Sequence, residues 1–340
     1  MSSIQLVTSE AYSNIAFVKY WGKFGRQYPL NPSISMPIPQ CKSTCSIEYE
    51  INESNPGISS FRFEGQENIL FQERISKYLT SIEDIYPLSK KLSLNINTSN
   101  NFPHSAGIAS SASAFAAIAK CLVQIEQNVL GNVENPNQRS SILARLASGS
   151  ASRSVGNGEF SVWGKNKLNI GSDDYSIDIF LDQSTKTQLG WPLLDTILVV
   201  SSSTKSVSSS QGHSLMNTHP YKDARIEQAH ENFRVLYSAI HNGDITTFGE
   251  IIENEAMSLH ALMMTSYPSF CLLHPNSLKI IELIKDYRQN TKANLYFTID
   301  AGPNLHLIYP HCEKEKIENF INSDLKDFTE SIMWGEQLES

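Results

Sequence analysis

The chain has 340 residues, 40% of them hydrophobic and 18% charged, with a formal net charge of −8. That suffices for one large domain, or two fused ones, with a sizeable core. The acidic balance and the lack of any dense Lys/Arg run exclude a nucleic-acid partner, and no stretch approaches the ~20 apolar residues of a membrane span.

In chain order, Met1-Ser2-Ser3-Ile4-Gln5 lacks the charged and apolar regions of a secretion signal, so a cytoplasmic location is expected. Alternating or continuous apolar runs predict strands near 11–21, 44–51, 92–98, 159–163, 194–201 and 294–299. Helical spacing predicts helices near 67–86, 109–126, 138–147, 222–242, 245–263, 276–289 and 313–323. Strands dominate the first third and helices the last, an α+β pattern without strict βαβ alternation. No repeat is visible.

The Ser/Thr/Gln-rich region 183–213 holds one apolar strand, then a run almost without hydrophobes from 201 to 212. It reads as a domain junction or a flexible substrate loop. A boundary near 190 divides the chain into domains 1–190 and 191–340. The five cysteines stand at 41, 45, 121, 271 and 312, with no CxxC spacing and no matching Cys/His pair. They read as reduced thiols, mostly buried, and not as a zinc site.

Four segments carry chemistry. Asn14-Ile15-Ala16-Phe17-Val18-Lys19-Tyr20-Trp21-Gly22-Lys23 begins as a buried strand and turns polar. If the strand continues, Lys19, Trp21 and Lys23 share a face. Two compact ammonium charges around an aromatic suit an oligophosphate. The plainer alternative is a solvated edge strand with snorkelling lysines. The loop Asn31-Pro32-Ser33-Ile34-Ser35 offers further hydroxyls and an amide.

The strand at 92–98 leads into Asn100-Asn101-Phe102-Pro103-His104-Ser105-Ala106-Gly107-Ile108-Ala109-Ser110-Ser111, and a helix rich in small residues leaves it. A first helical turn has unpaired N–H groups and the positive end of the dipole. Small residues let a phosphate approach, and Ser110 and Ser111 add hydroxyl donors. No Gly-Lys-Ser/Thr follows, so this is not the Walker loop. A Ser-capped helix in a small-residue core fits the local pattern equally well.

Ser148-Gly149-Ser150-Ala151-Ser152-Arg153 exposes backbone and hydroxyls, and Arg153 can hold a carboxylate through two parallel charge-assisted bonds. An ordinary loop with a surface arginine is the alternative. In Tyr296-Phe297-Thr298-Ile299-Asp300-Ala301-Gly302-Pro303-Asn304, one acid ends an apolar strand. A buried carboxylate needs a cation, a hydroxyl or a substrate, unless it caps the following N–H groups as an Asx-turn. No second acid stands nearby to form a glycosidase-like pair.

Together, in this order and over nearly the whole chain, these segments resemble the mevalonate diphosphate decarboxylase family of the GHMP kinase superfamily. The Pro103-to-Ser111 loop alone resembles only the superfamily, whereas the Lys-Tyr-Trp-Gly-Lys run, the Ser148–Arg153 turn and Asp-Ala-Gly-Pro-Asn are more specific. The resemblance implies a GHMP kinase fold, with an N-terminal domain like ribosomal protein S5 domain 2 and a ferredoxin-like C-terminal α/β domain. It places the active site between them and implies a homodimer. It implies ATP with Mg²⁺, the ion carried by the nucleotide and not by a protein metal site. The tertiary C3 hydroxyl of the substrate is phosphorylated, phosphate leaves, carbon dioxide is lost, and isopentenyl diphosphate forms.

By the same resemblance, Asp300 orients or deprotonates the C3 hydroxyl, and Arg153 holds the C1 carboxylate. Asn14 and Lys19 arrange Arg153 and the reacting groups. Tyr20 and Lys23 meet the 5-diphosphate, and Ser148 and Ser150 contact substrate oxygens. Pro103, Ser105, Ala106, Gly107, Ser110 and Ser111 line the ATP phosphates. Lys205, Ser209 and His213 lie in a stretch resembling the loop that closes over the substrate phosphates. Here the chain departs from its relatives. They usually carry Met where His213 stands, some bacterial ones carry Arg where Ser210 stands, and His104 replaces a common Thr. A 5-monophosphate needs fewer positive contacts. A mevalonate 5-phosphate decarboxylase, a mevalonate 3-kinase and a non-catalytic ligand sensor therefore stay open. Retention of Arg153 with Asp300 speaks against the pure kinase, because the guanidinium grips the carboxylate that leaves.

Overall fold

The structure, a computed structural model, describes residues 4–102, 110–203 and 207–337, with Ser209 described through its backbone alone. The first half runs β1 (Gln5–Val18), the short hairpin β2 (Lys23–Phe24) and β3 (Tyr28–Pro29), β4 (Ser33–Ile51), β5 (Gly57–Phe63), β6 (Gln66–Glu67), α1 (Ile69–Ser81), β7 (Leu92–Asn100), α2 (Ser110–Leu130), α3 (Pro136–Ala147), β8 (Phe160–Trp163) and β9 (Ile177–Ile179). One sheet takes the order β6-β5-β7-β4-β8-β9, with β1 also paired to β4. From Cys41 to Tyr49 the odd positions of β4 are buried and the even ones are not, the period-2 signature of a strand with one covered face. Ala112, Ala114, Ala116, Ala117 and Ala119 are buried, which lets α2 lie close on β1 and β4.

The earlier part of β4 is buried at nearly every position, and the second half of the chain explains why. It runs α4 (Gln183–Leu189), β10 (Leu193–Val199), α5 (Ser209–Leu215), α6 (Lys222–Asn242), α7 (Ile245–Thr265), α8 (Pro275–Thr291), β11 (Tyr296–Ile299), β12 (Leu305–Pro310), α9 (Lys314–Phe320) and β13 (Ser331–Met333). Its sheet has the antiparallel order β11-β12-β10-β13. Phe17, Ile34, Met36 and Ile38 share one apolar cluster with Leu193, Ile197, Phe233 and Phe248. Residues on both sides of position 190 thus share a core, which fixes the two halves against each other and shapes the cleft between them. Among the described residues no helix is long and apolar enough to cross a membrane.

Several expectations need correction. β1 ends at Val18, not at 21, and α1 stops at Ser81, followed by a separate 3₁₀ turn at Pro87–Lys90. The Ser-rich stretch is not simply a loop. It contains α4, capped by the Asp182 side chain and by Gly190 in the left-handed region, and α5, capped by Ser208. β5, β12 and β13 escaped the sequence pattern, so the last third is less helical than it reads. β12, Leu-His-Leu-Ile-Tyr-Pro, is buried at every position. A strand covered on both faces shows no alternation.

Candidate active site

A cleft of about 540 Å³ opens where the segment after β1, the turn after α3, helix α5 and the turn after β11 converge. β1 leaves its ladder at Val18 and the chain turns. Lys19 points inward, with 1% of its side chain exposed, and its Nζ lies 2.7 Å from Asp300 Oδ1. Trp21 packs with Met216, Leu259, Leu262 and Met263. Gly22 takes a φ of +89°, and a Cβ there would stand 2.5 Å from the Leu30 side chain, so the turn demands glycine. Lys19, Trp21 and Lys23 therefore reach the cleft through a turn, not along one face of a continued strand.

Asp300 follows β11 directly, and its carboxylate takes the Lys19 ammonium, not the N–H groups that follow. Its main-chain oxygen accepts from Gly302 N–H at 2.7 Å and from His260 Nε2 at 3.1 Å. About a third of its side chain (34%) stays open. Burial pushes the Asp300 pKa up, but the Lys19 ammonium, with His306 and Arg153 behind it, outweighs this and holds it below the usual carboxylate value. Burial also pulls the Lys19 ammonium below its ordinary value, against the opposing pull of Asp300. The pair remains a carboxylate facing an ammonium.

Arg153 lies in the 3₁₀ turn Gly149–Ser154. Asn14 ties that turn to β1, donating from Nδ2 to Ser150 O at 3.2 Å and to Ser154 Oγ at 2.7 Å. A Cβ on Gly149 would stand 2.7 Å from the Tyr20 hydroxyl, so the turn sits tightly on that ring. Arg153 is only 6% exposed, and its Nε and Nη1 have no hydrogen-bond partner among the described residues. Burial lowers its pKa to about 10. The Tyr20 hydroxyl is likewise buried without a partner among the described residues, and burial raises its pKa well above the usual phenol value.

His213, on α5, sits between the Tyr20 and Trp21 rings, tilted against both, with ring centroids 4.4 and 4.8 Å away. Its Nδ1 accepts the Gly22 N–H at 2.9 Å, which leaves its proton on Nε2. Burial, with Lys23 and Arg153 nearby, lowers its pKa to about 3, so the ring is neutral. Lys23 Nζ donates to Gln27 Oε1 at 2.8 Å, and Arg74 of α1 reaches the same end of the cleft. Burial depresses both pKa values. Among the described residues lining the cleft, Lys19, Lys23, Arg74 and Arg153 are cationic, and Asp300 is the one carboxylate. An acidic protein has built an anion site.

The structure thus brings Asn14, Lys19, Tyr20, Lys23, Ser148, Ser150, Arg153, His213, Asp300 and Ser111 onto one cavity. Ser110 starts α2 one residue earlier and is not among its lining residues. Pro103, His104, Ser105, Ala106, Gly107 and Lys205, and the side chain of Ser209, lie outside the described residues. Among the described residues no group of three or more His, Cys, Asp or Glu is placed to hold a metal ion.

Sequence reasoning missed Arg74, Gln27 and the pair Arg225–Glu255 behind Lys19. Arg74 falls in the polar run Gln72-Glu73-Arg74 and looks solvated. Glu255 carried a readable signal. It sits three residues after Ile252 and four before Leu259, on the apolar face of α7.

Residues 11–176 match the family described as diphosphomevalonate decarboxylase-like N-terminal domain, and residues 196–338 match the mevalonate 5-diphosphate decarboxylase C-terminal domain. The diphosphomevalonate decarboxylase of Candida albicans is 32% identical over 321 residues, covering 89% of this chain and 84% of that protein. The crystal structure of mevalonate diphosphate decarboxylase from Staphylococcus aureus matches with a TM-score of 0.83 at 28% identity, over 98% of this chain and 96% of that one. A further solved structure, described as MDDEF in complex with MVAPP, AMPPCP and magnesium, shares the fold with a TM-score of 0.81 at 24% identity, over 98% of this chain and 97% of that one.

Proposed function

The chain belongs to the diphosphomevalonate decarboxylase family and has the GHMP kinase fold, and from that premise we propose how its own cleft performs the family's chemistry. It is an ATP-dependent decarboxylase of mevalonate 5-diphosphate, in the mevalonate pathway of isoprenoid biosynthesis. The observation that carries the residue roles is Arg153, a buried guanidinium with two nitrogens lacking partners among the described residues, beside a carboxylate already claimed by Lys19. Such a group is costly until an anion arrives. The C1 carboxylate of the substrate meets that need through two charge-assisted bonds.

With the carboxylate on Arg153, the C3 hydroxyl falls to Asp300. A carboxylate held below its usual pKa is a weak base. Asp300 therefore first accepts the hydroxyl's hydrogen bond and takes its proton only as the oxygen gains a phosphoryl group. As phosphate departs, Asp300 hands that proton on to it, and the restored carboxylate faces the positive charge that grows at C3. Ser148 and Ser150 steady the substrate oxygens. Lys23 and Arg74 at one end, with the Tyr20 hydroxyl and the His213 Nε2–H, receive the 5-diphosphate. Two cations there favour the diphosphate over the monophosphate.

The first turn of α2, with Ser111 on the cleft, fits nucleotide phosphates, since its N–H groups and dipole favour anions. ATP supplies the transferred phosphoryl group, and magnesium neutralises its charge. The roles of Pro103, Ser105, Ala106, Gly107, Ser110, Lys205 and Ser209 follow from the resemblance alone. So does the homodimer, which sedimentation tests. A cytoplasmic location is supported by five free thiols, as suits a reducing compartment.

Parallel assays of ADP release and carbon dioxide release, with mevalonate 5-phosphate and 5-diphosphate, test this reading. Equal amounts of both products are expected, with kcat/KM about 10- to 100-fold higher for the diphosphate, the worth of one or two charged contacts. ADP without carbon dioxide would make the protein a kinase. Parity between the two substrates would remove the diphosphate role of Lys23 and Arg74.

A further inference from the structure

Behind the cleft lies an ion pair that does not line it. Arg225 of α6 and Glu255 of α7 meet through two bonds of 2.7 and 2.6 Å, with side chains 1% and 0% exposed. A buried ion pair adds little stability over well-packed apolar side chains, because desolvation offsets the attraction. Its presence asks for another reason, and the remaining bonds supply one. Glu255 Oε2 accepts the main-chain N–H of Lys19 at 2.8 Å. Arg225 Nη2 donates to the main-chain oxygen of Lys19 at 3.1 Å, and Asn31 Nδ2 donates to the same oxygen at 3.0 Å. Lys19 is the first residue past the end of β1. The pair stands in for the neighbouring strand that its peptide groups have lost.

We propose that Arg225 and Glu255 are positioning residues that clamp the Lys19 backbone from both sides and so hold its ammonium on Asp300. The proposal rests on the assignment of Lys19 and Asp300 to the reacting centre. The clamp also acts through charge. The groups facing the Lys19 ammonium are Asp300 after β11, Glu255 from α7 and Arg153 from the 3₁₀ turn. Glu255 and Asp300 favour the protonated amine, and burial and Arg153 oppose it. Neutralising Glu255 removes one of the two supports, so Lys19 loses its proton at a lower pH.

The test compares Glu255→Gln with the double variant Arg225→Met/Glu255→Met. The double variant removes both charges together and keeps the fold by apolar packing. In each, kcat should fall about 10- to 100-fold with both KM values within about twofold, the mark of an interaction used beyond the ground state. The basic limb of the kcat profile should move to lower pH. NMR titration of the Lys19 ammonium in substrate-free protein should show the same acid shift. Wild-type carbon dioxide release tests the assigned reaction, and the Lys19 titration tests the clamp without it. If the double variant melts with wild-type cooperativity and retains wild-type kcat, the pair is only structural and the proposal fails. An unmoved Lys19 titration in Glu255→Gln would overturn it equally, and for this variant it can be read whatever the activity.

Discussion

Arg225 and Arg153 are both buried, at 2% and 6% exposure, yet they stand in opposite surroundings. Arg225 meets Glu255 twice, Gln228 and the Lys19 carbonyl. Arg153 leaves two nitrogens without a partner among the described residues. The first region is framework: both Arg225 Nη nitrogens are engaged before any substrate arrives, and its Nε, unpaired among the described residues, does not line the cleft. The second is a site, because its unmet donors become satisfied only when an anion enters. In this protein the state of pairing, more than burial or charge, separates what holds the cleft from what works in it.

Asp300 sits on the border between the two regions, tied to Lys19 yet a third open. Asp300→Asn breaks the comparison most severely. It keeps the shape and loses the charge, so kcat should drop about 10³-fold or more, with nucleotide affinity by calorimetry unchanged within about twofold. A variant with ordinary turnover would place the reacting hydroxyl elsewhere.

The two arginines should then separate in opposite directions. Arg225→Met strands Glu255 and should lose about 3–5 kcal/mol in urea unfolding, the usual result of breaking a buried pair. Arg153→Met removes a guanidinium with two nitrogens that lack hydrogen-bond partners among the described residues, and should leave the substrate-free protein as stable or about 1 kcal/mol more so. Substrate affinity in that variant should weaken by about 2 kcal/mol or more. Equal destabilisation in both variants would erase the distinction.

Much of this site was legible as linear text, and the reason is local. Ser148 to Arg153 and Asp300 to Asn304 are turns whose shape depends on small residues close in sequence, so the residue types are visible together. The framework was less legible. Arg225, Glu255 and Arg74 lie on three helices and meet only through tertiary packing, where an isolated Arg or Glu reads as a solvated charge. The same holds for the fold. β4 announces itself by alternation, while β12, covered on both faces, gives an apolar run that could belong to any buried element. The expected extension of β1 to residue 21 failed because the Arg225–Glu255 pair replaces its ladder from Lys19 onward and Gly22 then turns the chain.

His213 sharpens the comparison through pH. Its native pKa, about 3, lies below the ~6.5 of the unfolded chain. Above pH ~6.5 neither state holds the proton, and the full stability is present. Below that, the unfolded chain takes a proton the native ring refuses, and stability falls by about 1.4 kcal/mol per pH unit down to about pH 3. His213→Met should remove this portion of the acid sensitivity in urea midpoints measured from pH 7 to 4. An unchanged pH slope would show that the ring protonates freely in the native state, and its neutral Nε2–H could not then be the donor assigned to the diphosphate.

The smallest expected effect tests the logic in its mildest form. Tyr20 packs edge-on against Trp163 at 4.8 Å and beside His213, so Tyr20→Phe keeps every ring contact and deletes only a buried hydroxyl that has no partner among the described residues. A buried hydroxyl that makes no bond is a liability. The phenylalanine variant should therefore be as stable as the parent, or up to about 1 kcal/mol more stable, in the absence of ligand. With substrate the sign reverses, since a donor to the diphosphate is lost, and KM should rise about 5- to 10-fold while kcat stays close to its original value. If instead the substrate-free protein loses stability, the hydroxyl already has a native partner, and an unpaired buried atom can no longer be taken as the outline of a missing ligand.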